Sequence, residues 1–333
     1  MVQRIGIVGT GWVAEKHVAA LSRISEAQVV GIAGRNLARA RELATKAQGH
    51  GGKAKVYGHW GEMLEQEDLD ALFILLPPHL HGDLEVACAT CVPAVLIEKP
   101  IARDLATAYR ALAAFEAAGT FAAAAYMNRC RRSVIRAKEL FSTPCGGPVL
   151  LAGHWIGAVP PPAWWRDQGL SGGQFVEQCT HLVDIARYIA GAIVEVSAFS
   201  TSGFIRDLEG FATDDAMVVN ARFASGALAQ FSTGCYRNLD EDSGVGMTIS
   251  SRSTRCTLSG WDMAFHAETG SGEPEMIVPE EDIFEVEDRL FLRAAAAGER
   301  TLFPSSYRDA IETLRVTLAA KESAATGNRV SLA

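Results

Sequence analysis

The sequence lacks a long apolar run, a block of basic charge and a closely spaced set of cysteines. Its most alanine-rich stretch, residues 115–127, contains Glu116 and Gly119 and falls short of the roughly 20 apolar residues that span a bilayer. The net charge is −8 without any basic run, so we expect neither nucleic-acid binding nor membrane contact. A small molecule is the ligand that this composition favours.

Cysteine is sparse and odd in number, with seven residues scattered over 333. This pattern is typical of reduced thiols rather than of a disulfide framework. Cys88 and Cys91 form a CxxC pair, but their apolar neighbours late in a predicted helix indicate packing rather than redox chemistry or metal binding. The first residues run directly into an apolar segment without the features of a secretory signal, so we expect a cytoplasmic protein.

The length, with 48% hydrophobic and 21% charged residues, predicts two globular domains. Residues 1–125 alternate short apolar runs with helical patterns, which predicts an α/β domain with a doubly wound parallel sheet. The predicted strands are residues 4–8, 28–33, 71–76, 94–98 and 121–124. Helical spacing of apolar residues covers residues 12–24, 37–47, 80–89 and 105–118.

After Asn128 the apolar pattern changes to period two, which predicts strands at residues 149–156, 194–200, 216–223, 227–233, 246–250 and 254–258. Residues 126–333 are therefore predicted to form an α+β domain for substrate binding and oligomerisation, with a large, mostly antiparallel open sheet. Ala224-Ser225-Gly226 predicts a hairpin. Helices are predicted at residues 134–141 and about 305–325; the second follows a capping segment, Pro304-Ser305-Ser306, and is expected to pack back on the first domain.

A glycine-rich loop follows the first strand directly, with the sequence Gly9-Thr10-Gly11-Trp12-Val13-Ala14. In this GxGxxA pattern the first glycine permits a tight turn, the second lets a pyrophosphate approach the backbone, and the third small residue lets helix pack on strand. The amides at the start of the helix would face the phosphates. Residues 9–13 are thus predicted to bind a dinucleotide in a Rossmann domain.

The end of the second strand reads Ala33-Gly34-Arg35-Asn36 and has no acidic residue to bind the ribose 2′-hydroxyl of NAD. Arg35 could pair with a 2′-phosphate through its planar guanidinium, which favours NADP(H), with Asn36 beside it. The alternative is that Arg35 only stacks on the adenine of NAD(H).

Two further segments carry residues suited to catalysis. Glu98 and Lys99 follow an apolar strand, at the sheet edge where open α/β folds bind ligands, and both are predicted to bind the cofactor. Lys99 there could also stabilise charge that develops during hydride transfer. Glu177, His181 and Asp184 are spaced to share one face of a predicted helix after Gly172-Gly173, so His181 could serve as general acid and base with carboxylates to orient it. The same spacing could bind a metal, but no further ligand cluster supports one.

Four segments together resemble the Gfo/Idh/MocA family over essentially the whole chain: GTGWVA, LLPPHLHGDL, IEKP and GGQFVEQCTHLVD. The resemblance implies a two-domain NAD(P)-dependent oxidoreductase without a metal. It implies that Lys99 is the catalytic-site lysine, that His181 has or shares the acid–base role, and that Pro77 and His81 border the nicotinamide. Glu177 stands where an aspartate is common, and Leu76 where a threonine is common.

Substrate contacts are assigned to two segments. Tyr126 and Arg129 resemble the family's YxxRY segment at the domain junction, although Cys130 replaces its last aromatic residue. Trp164, Trp165 and Arg166 could offer an aromatic face and a charged group to a sugar ring, or the tryptophans could serve packing alone.

These observations favour a dehydrogenase or reductase that acts on the CH–OH group of a sugar, inositol or related polyol or keto-sugar. The first alternative is a redox-neutral glycosidase of the same family that recycles bound NAD. The second is a non-catalytic dinucleotide sensor, which would be free to lose Lys99 and His181. Family members commonly pair through the exposed sheet face, so we expect a homodimer or homotetramer.

Overall fold

The protein is described by a computed structural model that covers residues 2–47, 53–142, 147–237, 244–270 and 272–332. The chain divides into two compact units. The first contains Met1–Met127 and Glu281–Ile311, and the second contains Asn128–Glu280 and Glu312–Ala333.

The first unit is built on a six-stranded parallel sheet whose strands are β1 (Gln3–Val8), β2 (Ala27–Ala33), β3 (Lys55–Tyr57), β4 (Ala71–Ile74), β5 (Ala94–Ile97) and β6 (Phe121–Ala124). Its helices in this stretch are α1 (Trp12–Leu21), α2 (Leu37–Lys46), α3 (Trp60–Gln66), α4 (Asp83–Cys88) and α5 (Leu105–Ala118). The strand order is β3-β2-β1-β4-β5-β6, the order of a dinucleotide-binding Rossmann domain. The order reverses between β1 and β4, so their carboxyl ends flank the crevice where such folds bind ligands.

The predicted parallel sheet is confirmed, with differences at short or glycine-broken elements. The prediction missed β3 and α3, which have three and seven residues. It began a helix at Leu80, whereas α4 begins at Asp83 because Gly82 has φ of 123° and the carboxylate of Glu85 accepts a 2.5 Å hydrogen bond from the Gly82 amide. Cys88 ends α4 with its thiol buried, and burial raises its pKa; Cys91 is exposed and its thiol is free.

The second unit contains a nine-stranded sheet. Its strands are β7 (Leu150–Ile156), β8 (Ile193–Thr201), β9 (Ala216–Phe223), β10 (Leu228–Gly234), β11 (Gly244–Ser250), β12 (Thr254–Ser259), β13 (Ala264–Thr269), β14 (Glu275–Ile277) and β15 (Val330–Ser331). They lie in the order β14-β13-β12-β11-β7-β10-β9-β8-β15. Only β7 and β10 pair in parallel among these described strands, so the predicted mostly antiparallel sheet is confirmed. The hairpin predicted at residues 224–226 joins β9 to β10.

One face of this sheet is covered by helices and the other is exposed. The unit's first four helices are α6 (Arg132–Phe141), α7 (Gln168–Ser171), α8 (Gln174–Glu177) and α9 (Thr180–Ala190). Apolar residues of α6 and α9 join those of alternate strand positions in one buried core. The intervening positions, such as Leu150, Val218 and Leu228, are exposed.

Two helices close the chain, α10 (Ile283–Ala297) and α11 (Tyr307–Thr326). The prediction missed α10, and it placed residues 281–311 with the second domain, whereas they belong to the first unit. Phe291 of α10 packs on Phe73 of β4 and on Phe121 of β6, with ring centroids 5.5 and 5.4 Å apart. Helix α11 begins in the first unit and continues in the second, and Ser306 caps it by accepting a 3.1 Å hydrogen bond from the Asp309 amide.

None of the helices in the described ranges is both long and apolar enough to cross a membrane.

Candidate functional site

The loop between β1 and α1 depends on a glycine at its first position. Gly9 has φ of 121°, and a Cβ added there would lie 2.1 Å from the carbonyl oxygen of Leu75. Its amide donates a 3.0 Å hydrogen bond to the carbonyl of Ala33. Both the backbone conformation and the close approach exclude a side chain, so Gly9 is required by the fold itself.

Gly11 differs from Gly9, because the fold leaves room beside it. A Cβ added at Gly11 would have no heavy atom of the described residues within 4 Å. Gly11 is the N-cap of α1, and no described side chain caps its first amides. The open space beside Gly11 and these amides fit a pyrophosphate, which the helix N-terminus would bind through N–H groups and its dipole.

The remaining residues of the loop surround this open space. Thr10 and Val13 are half-buried, and Trp12 is exposed with the Lys16 Nζ 5.2 Å from its ring centroid. Ala14, the third small residue of the motif, is fully buried.

The end of β2 presents a cation to solvent. Arg35 is exposed, whereas Asn36 caps α2 by accepting a 3.0 Å hydrogen bond from the Arg39 amide. A Cβ added at Gly34 would lie 2.5 Å from the Cγ2 of Thr10. Any side chain at residue 34, an aspartate included, would therefore require the Thr10 side chain to shift.

The turn after β4 is fixed by its second histidine. The ring of His81 is buried, with Nε2 3.0 Å from the carbonyl oxygen of Leu76 and Nδ1 2.5 Å from a carboxylate oxygen of Glu85. Both ring nitrogens thus face oxygens of the same segment, and they hold the turn in which Pro77 is half-buried. The side chain of His81 has no exposed surface, so it orders this turn from within.

Glu98 and Lys99 follow β5 at the carboxyl edge of the parallel sheet. Glu98 is 8% exposed, and its carboxylate accepts a 2.8 Å hydrogen bond from the Lys99 amide. Lys99 is half-buried and lies in the first unit, whereas His181 lies in the second.

The single helix predicted to carry Glu177, His181 and Asp184 is instead two helices. Glu177 ends α8, and His181 and Asp184 lie on α9. The amide of Cys179 bonds to the carbonyl of Gln174, five residues back, and the amide of His181 to that of Gln178, three residues back. This break in the i−4 pattern means that Glu177 does not share a helical face with the other two residues.

His181 is held by an aromatic stack. Its side chain is buried, and its ring lies nearly parallel to that of Trp155, with centroids 5.7 Å apart and 17° between the planes. Trp155 in turn contacts Trp261 edge-on at 6.1 Å. The position of the imidazole is therefore set by the sheet of the second unit, to which Trp155 belongs.

Asp184 and Arg129, predicted as a catalytic and a substrate-binding residue, contact each other. The guanidinium of Arg129 donates to both carboxylate oxygens of Asp184, at 2.7 and 2.6 Å, and both side chains are buried. Asp184 also accepts a 2.9 Å hydrogen bond from the hydroxyl of Thr313, which accepts one from Arg187 at 2.7 Å. A bidentate pair of this kind fixes the geometry of α9.

The other predicted substrate residues differ in their exposure. Trp165 is buried and its indole N–H donates a 3.1 Å hydrogen bond to Glu177, whereas Trp164 and Arg166 are half-buried. Tyr126 is 2% exposed and lies just after β6 in the first unit. The structure therefore brings together Trp165 with Glu177 and Arg129 with Asp184.

One buried charged cluster was not predicted from the sequence. His17 of α1 is fully buried, with Nδ1 2.7 Å from a carboxylate oxygen of Asp288 and Nε2 3.8 Å from one of Glu98. Glu287, also buried, lies close by. The available signal was a single histidine on the apolar face of α1, beside Ala14, Val18 and Leu21, but its partners lie in the helix that the prediction missed.

Comparison with known families and proteins agrees with this architecture. Residues 3–126 match the model of an oxidoreductase family with an NAD-binding Rossmann fold (GFO_IDH_MocA), and residues 137–260 match the C-terminal domain of the same family. The chain is 32% identical to a myo-inositol 2-dehydrogenase of Thermotoga maritima, over 68% of this chain and 66% of that protein. It is 31% identical to an NADP(+) D-xylose 1-dehydrogenase of Haloferax volcanii, over 68% and 67%.

Solved structures share the fold over the full length. A levoglucosan dehydrogenase in complex with NADH and L-sorbose superposes with a TM-score of 0.87 at 18% identity, with 100% of each chain covered. A myo-inositol dehydrogenase from Corynebacterium glutamicum gives 0.80 at 20% identity, over 100% and 99%. The chain belongs to the Gfo/Idh/MocA oxidoreductase family and is an NAD(P)-dependent dehydrogenase.

Proposed function

We propose that the protein transfers a hydride between a nicotinamide dinucleotide and a CH–OH carbon of a sugar, inositol or related polyol or keto-sugar. The observation that carries this proposal is the open space beside Gly11 at the uncapped start of α1, which fits the phosphates of a dinucleotide. The named substrates of the relatives, myo-inositol and D-xylose, support the substrate class.

Lys99 and His181 are the proposed catalytic residues. The bound nicotinamide ring supplies or accepts the hydride. Lys99, at the ligand-binding edge of the parallel sheet, would donate a hydrogen bond to the substrate oxygen and stabilise the negative charge that develops on it. His181, held against Trp155, would take the hydroxyl proton in oxidation and return it in reduction.

The other predicted residues receive narrower roles. Asp184 and Arg129 form a bidentate ion pair with each other. We therefore propose that they position α9 and His181 rather than contact the substrate. Glu177 is a positioning or substrate-binding residue whose carboxylate is oriented by Trp165. Tyr126, Trp164 and Arg166 remain proposed substrate contacts, and Pro77 and His81 proposed neighbours of the nicotinamide.

The residues at the end of β2 favour NADP(H) over NAD(H). Arg35 is exposed and could pair with a 2′-phosphate, and Gly34 cannot be replaced by an acidic residue without displacing Thr10. The relative from Haloferax volcanii is named for NADP(+), whereas other relatives and solved structures are named with NAD(+) or NADH.

The exposed face of the nine-stranded sheet is the proposed surface for homodimer or homotetramer formation. Phe199 is 73% exposed and lies opposite Val218, and Leu150 lies opposite Leu228 on the same face. These two pairs of exposed apolar side chains on one sheet face are the observation that supports an interaction surface.

Replacement of either catalytic residue should abolish turnover while the dinucleotide still binds. Lys99→Met and His181→Asn are expected to lower kcat by about 100- to 10,000-fold, the usual contribution of a positioned acid–base group. The measurement is absorbance at 340 nm in a screen of sugars, inositols and keto-sugars, with dinucleotide affinity from calorimetric titration. Lys53→Met and His154→Asn, both at exposed positions, are the controls.

A double variant of Lys99 and His181 that keeps full activity would contradict the assignment. Turnover of a glycoside without net change in nicotinamide absorbance would favour the redox-neutral glycosidase instead.

Gly11→Ala should weaken dinucleotide binding without lowering stability. The added methyl group meets no described atom within 4 Å but fills the space proposed for the phosphates. We expect the Kd for both NAD(H) and NADP(H) to rise by about tenfold or more, the loss that follows from roughly 1.4 kcal/mol of binding free energy. Gly9→Ala, whose methyl group would collide with Leu75, should instead lower the melting temperature. Unchanged affinity in Gly11→Ala would argue against a phosphate site here.

Arg35→Ala should weaken NADP(H) binding selectively. Loss of a charge-assisted pair with the 2′-phosphate, about 1.5–3 kcal/mol, corresponds to roughly a 10- to 100-fold rise in Kd. The Kd for NAD(H) should change little. Arg41→Ala, at an exposed position of the following helix α2, is the matched control. If wild type prefers NAD(H), or if Arg35→Ala weakens both dinucleotides equally, the proposed NADP(H) preference is wrong.

Light scattering at micromolar concentration should give two or four times the mass of one chain. Phe199→Glu should reduce it to a monomer, because it places a charge on the apolar face. Phe204→Glu, at a 77% exposed position in a loop outside the sheet, should not. A monomeric wild-type protein would rule out the proposed assembly.

A further inference from the structure

The buried cluster around His17 lies within the first unit, on the helix that follows the glycine-rich loop. The His17 ring contacts Phe73 and Phe284 edge-on, with centroids 5.6 and 5.2 Å away, so its surroundings apart from the carboxylates are apolar. Asp288 lies at one ring nitrogen at 2.7 Å, and Glu98 at the other at 3.8 Å. The imidazole therefore stands between a carboxylate of α10 and one at the end of β5.

This arrangement favours the doubly protonated ring. Burial alone would lower the pKa of His17, but the carboxylates of Asp288, Glu98 and Glu287 outweigh it and raise the pKa to about 10. The charged groups facing the ring are Asp288 and Glu287 from α10 and Glu98 from β5, while Phe73 of β4 contributes no charge. His17 is thus a cation at neutral pH.

Glu98 is the member of the cluster that adjoins Lys99. Its carboxylate is nearly buried and accepts the hydrogen bond from the Lys99 amide. Burial of a carboxylate is unfavourable unless hydrogen-bond donors or a cation face it. His17 supplies a cation 3.8 Å away, in an apolar environment that screens the attraction little.

We propose that His17 is a positioning residue of the dinucleotide site, which holds the Glu98 carboxylate against the Lys99 amide. The inference rests on the proposed function, because Glu98 is assigned to the cofactor site. It predicts an electrostatic chain from Asp288 through His17 and Glu98 to the backbone of Lys99.

The first test measures protonation directly and needs no cofactor. In protein labelled with ¹³C-histidine, the His17 resonance, assigned by its absence in His17→Gln, should keep the shifts of a protonated ring from pH 6 to pH 9, above the ordinary histidine pKa of about 6.5. A neutral ring at pH 8 would overturn the proposal. A stoichiometric metal ion in the purified protein would overturn it as well, since the side chains would then be ligands.

The second test measures NADP(+) and NAD(+) affinity by calorimetry. His17→Gln removes the group that faces Glu98, so the Kd should rise by about fivefold or more. In a Glu98→Gln background the same replacement should change the Kd by less than about twofold, because the carboxylate that His17 positions is gone.

Phe284→Leu is the matched control, since it disturbs the packing of the His17 ring without changing charge. It should lower the melting temperature and leave the Kd within about twofold of the wild-type value. The same loss of affinity in Phe284→Leu, or wild-type affinity in His17→Gln, would overturn the proposal. A wild-type protein that binds neither dinucleotide would instead contradict the proposed function, and the histidine spectrum would still report on His17.

Discussion

The ion pair between Arg129 and Asp184 is the interaction on which the second unit's candidate site depends. Both side chains are buried, so each charge is tolerated only because the other neutralises it, and loss of one partner of such a pair destabilises by about 3–5 kcal/mol. The pair joins the turn at residues 127–130 to α9, and Thr313 extends it to α11. His181 lies one helical turn before Asp184, so the ion pair and the stack on Trp155 together set the imidazole.

Most of the first unit's fold could be predicted from the sequence, because its strands and first turn have local sequence patterns. Apolar runs at β1, β2, β4, β5 and β6 are largely buried strands, and Gly9 marks the turn that follows the first of them. Helix α10 was not predicted to belong there, because its packing partners Phe73 and Phe121 lie far back in the chain. Periodicity reports what a segment buries but not which surface it is buried against.

The residue types of the candidate site could be predicted from the sequence, but most of the contacts among these residues could not. The positions of Lys99 and Glu98 at the sheet edge followed from the strand before them. The pairing of Arg129 with Asp184 spans 55 residues, and the break between α8 and α9 follows from hydrogen bonds of irregular spacing, so neither leaves a sequence pattern. Some groups that were expected to contact ligands are instead buried and face polar partners within the protein, namely the indole N–H of Trp165 and the ring nitrogens of His81.

Residues 281–311 belong to the first unit although they follow most of the second unit in sequence. The two units are therefore not two consecutive segments of the chain. A fragment that stopped at Met127 would leave the rings of Phe73 and Phe121 without Phe291, and His17 without Asp288. Recombination that exchanged only the N-terminal segment with a relative would therefore mismatch a buried charge and an aromatic cluster at once. The unit that could be exchanged consists of two separate segments, so α10 would have to be exchanged together with Met1–Met127.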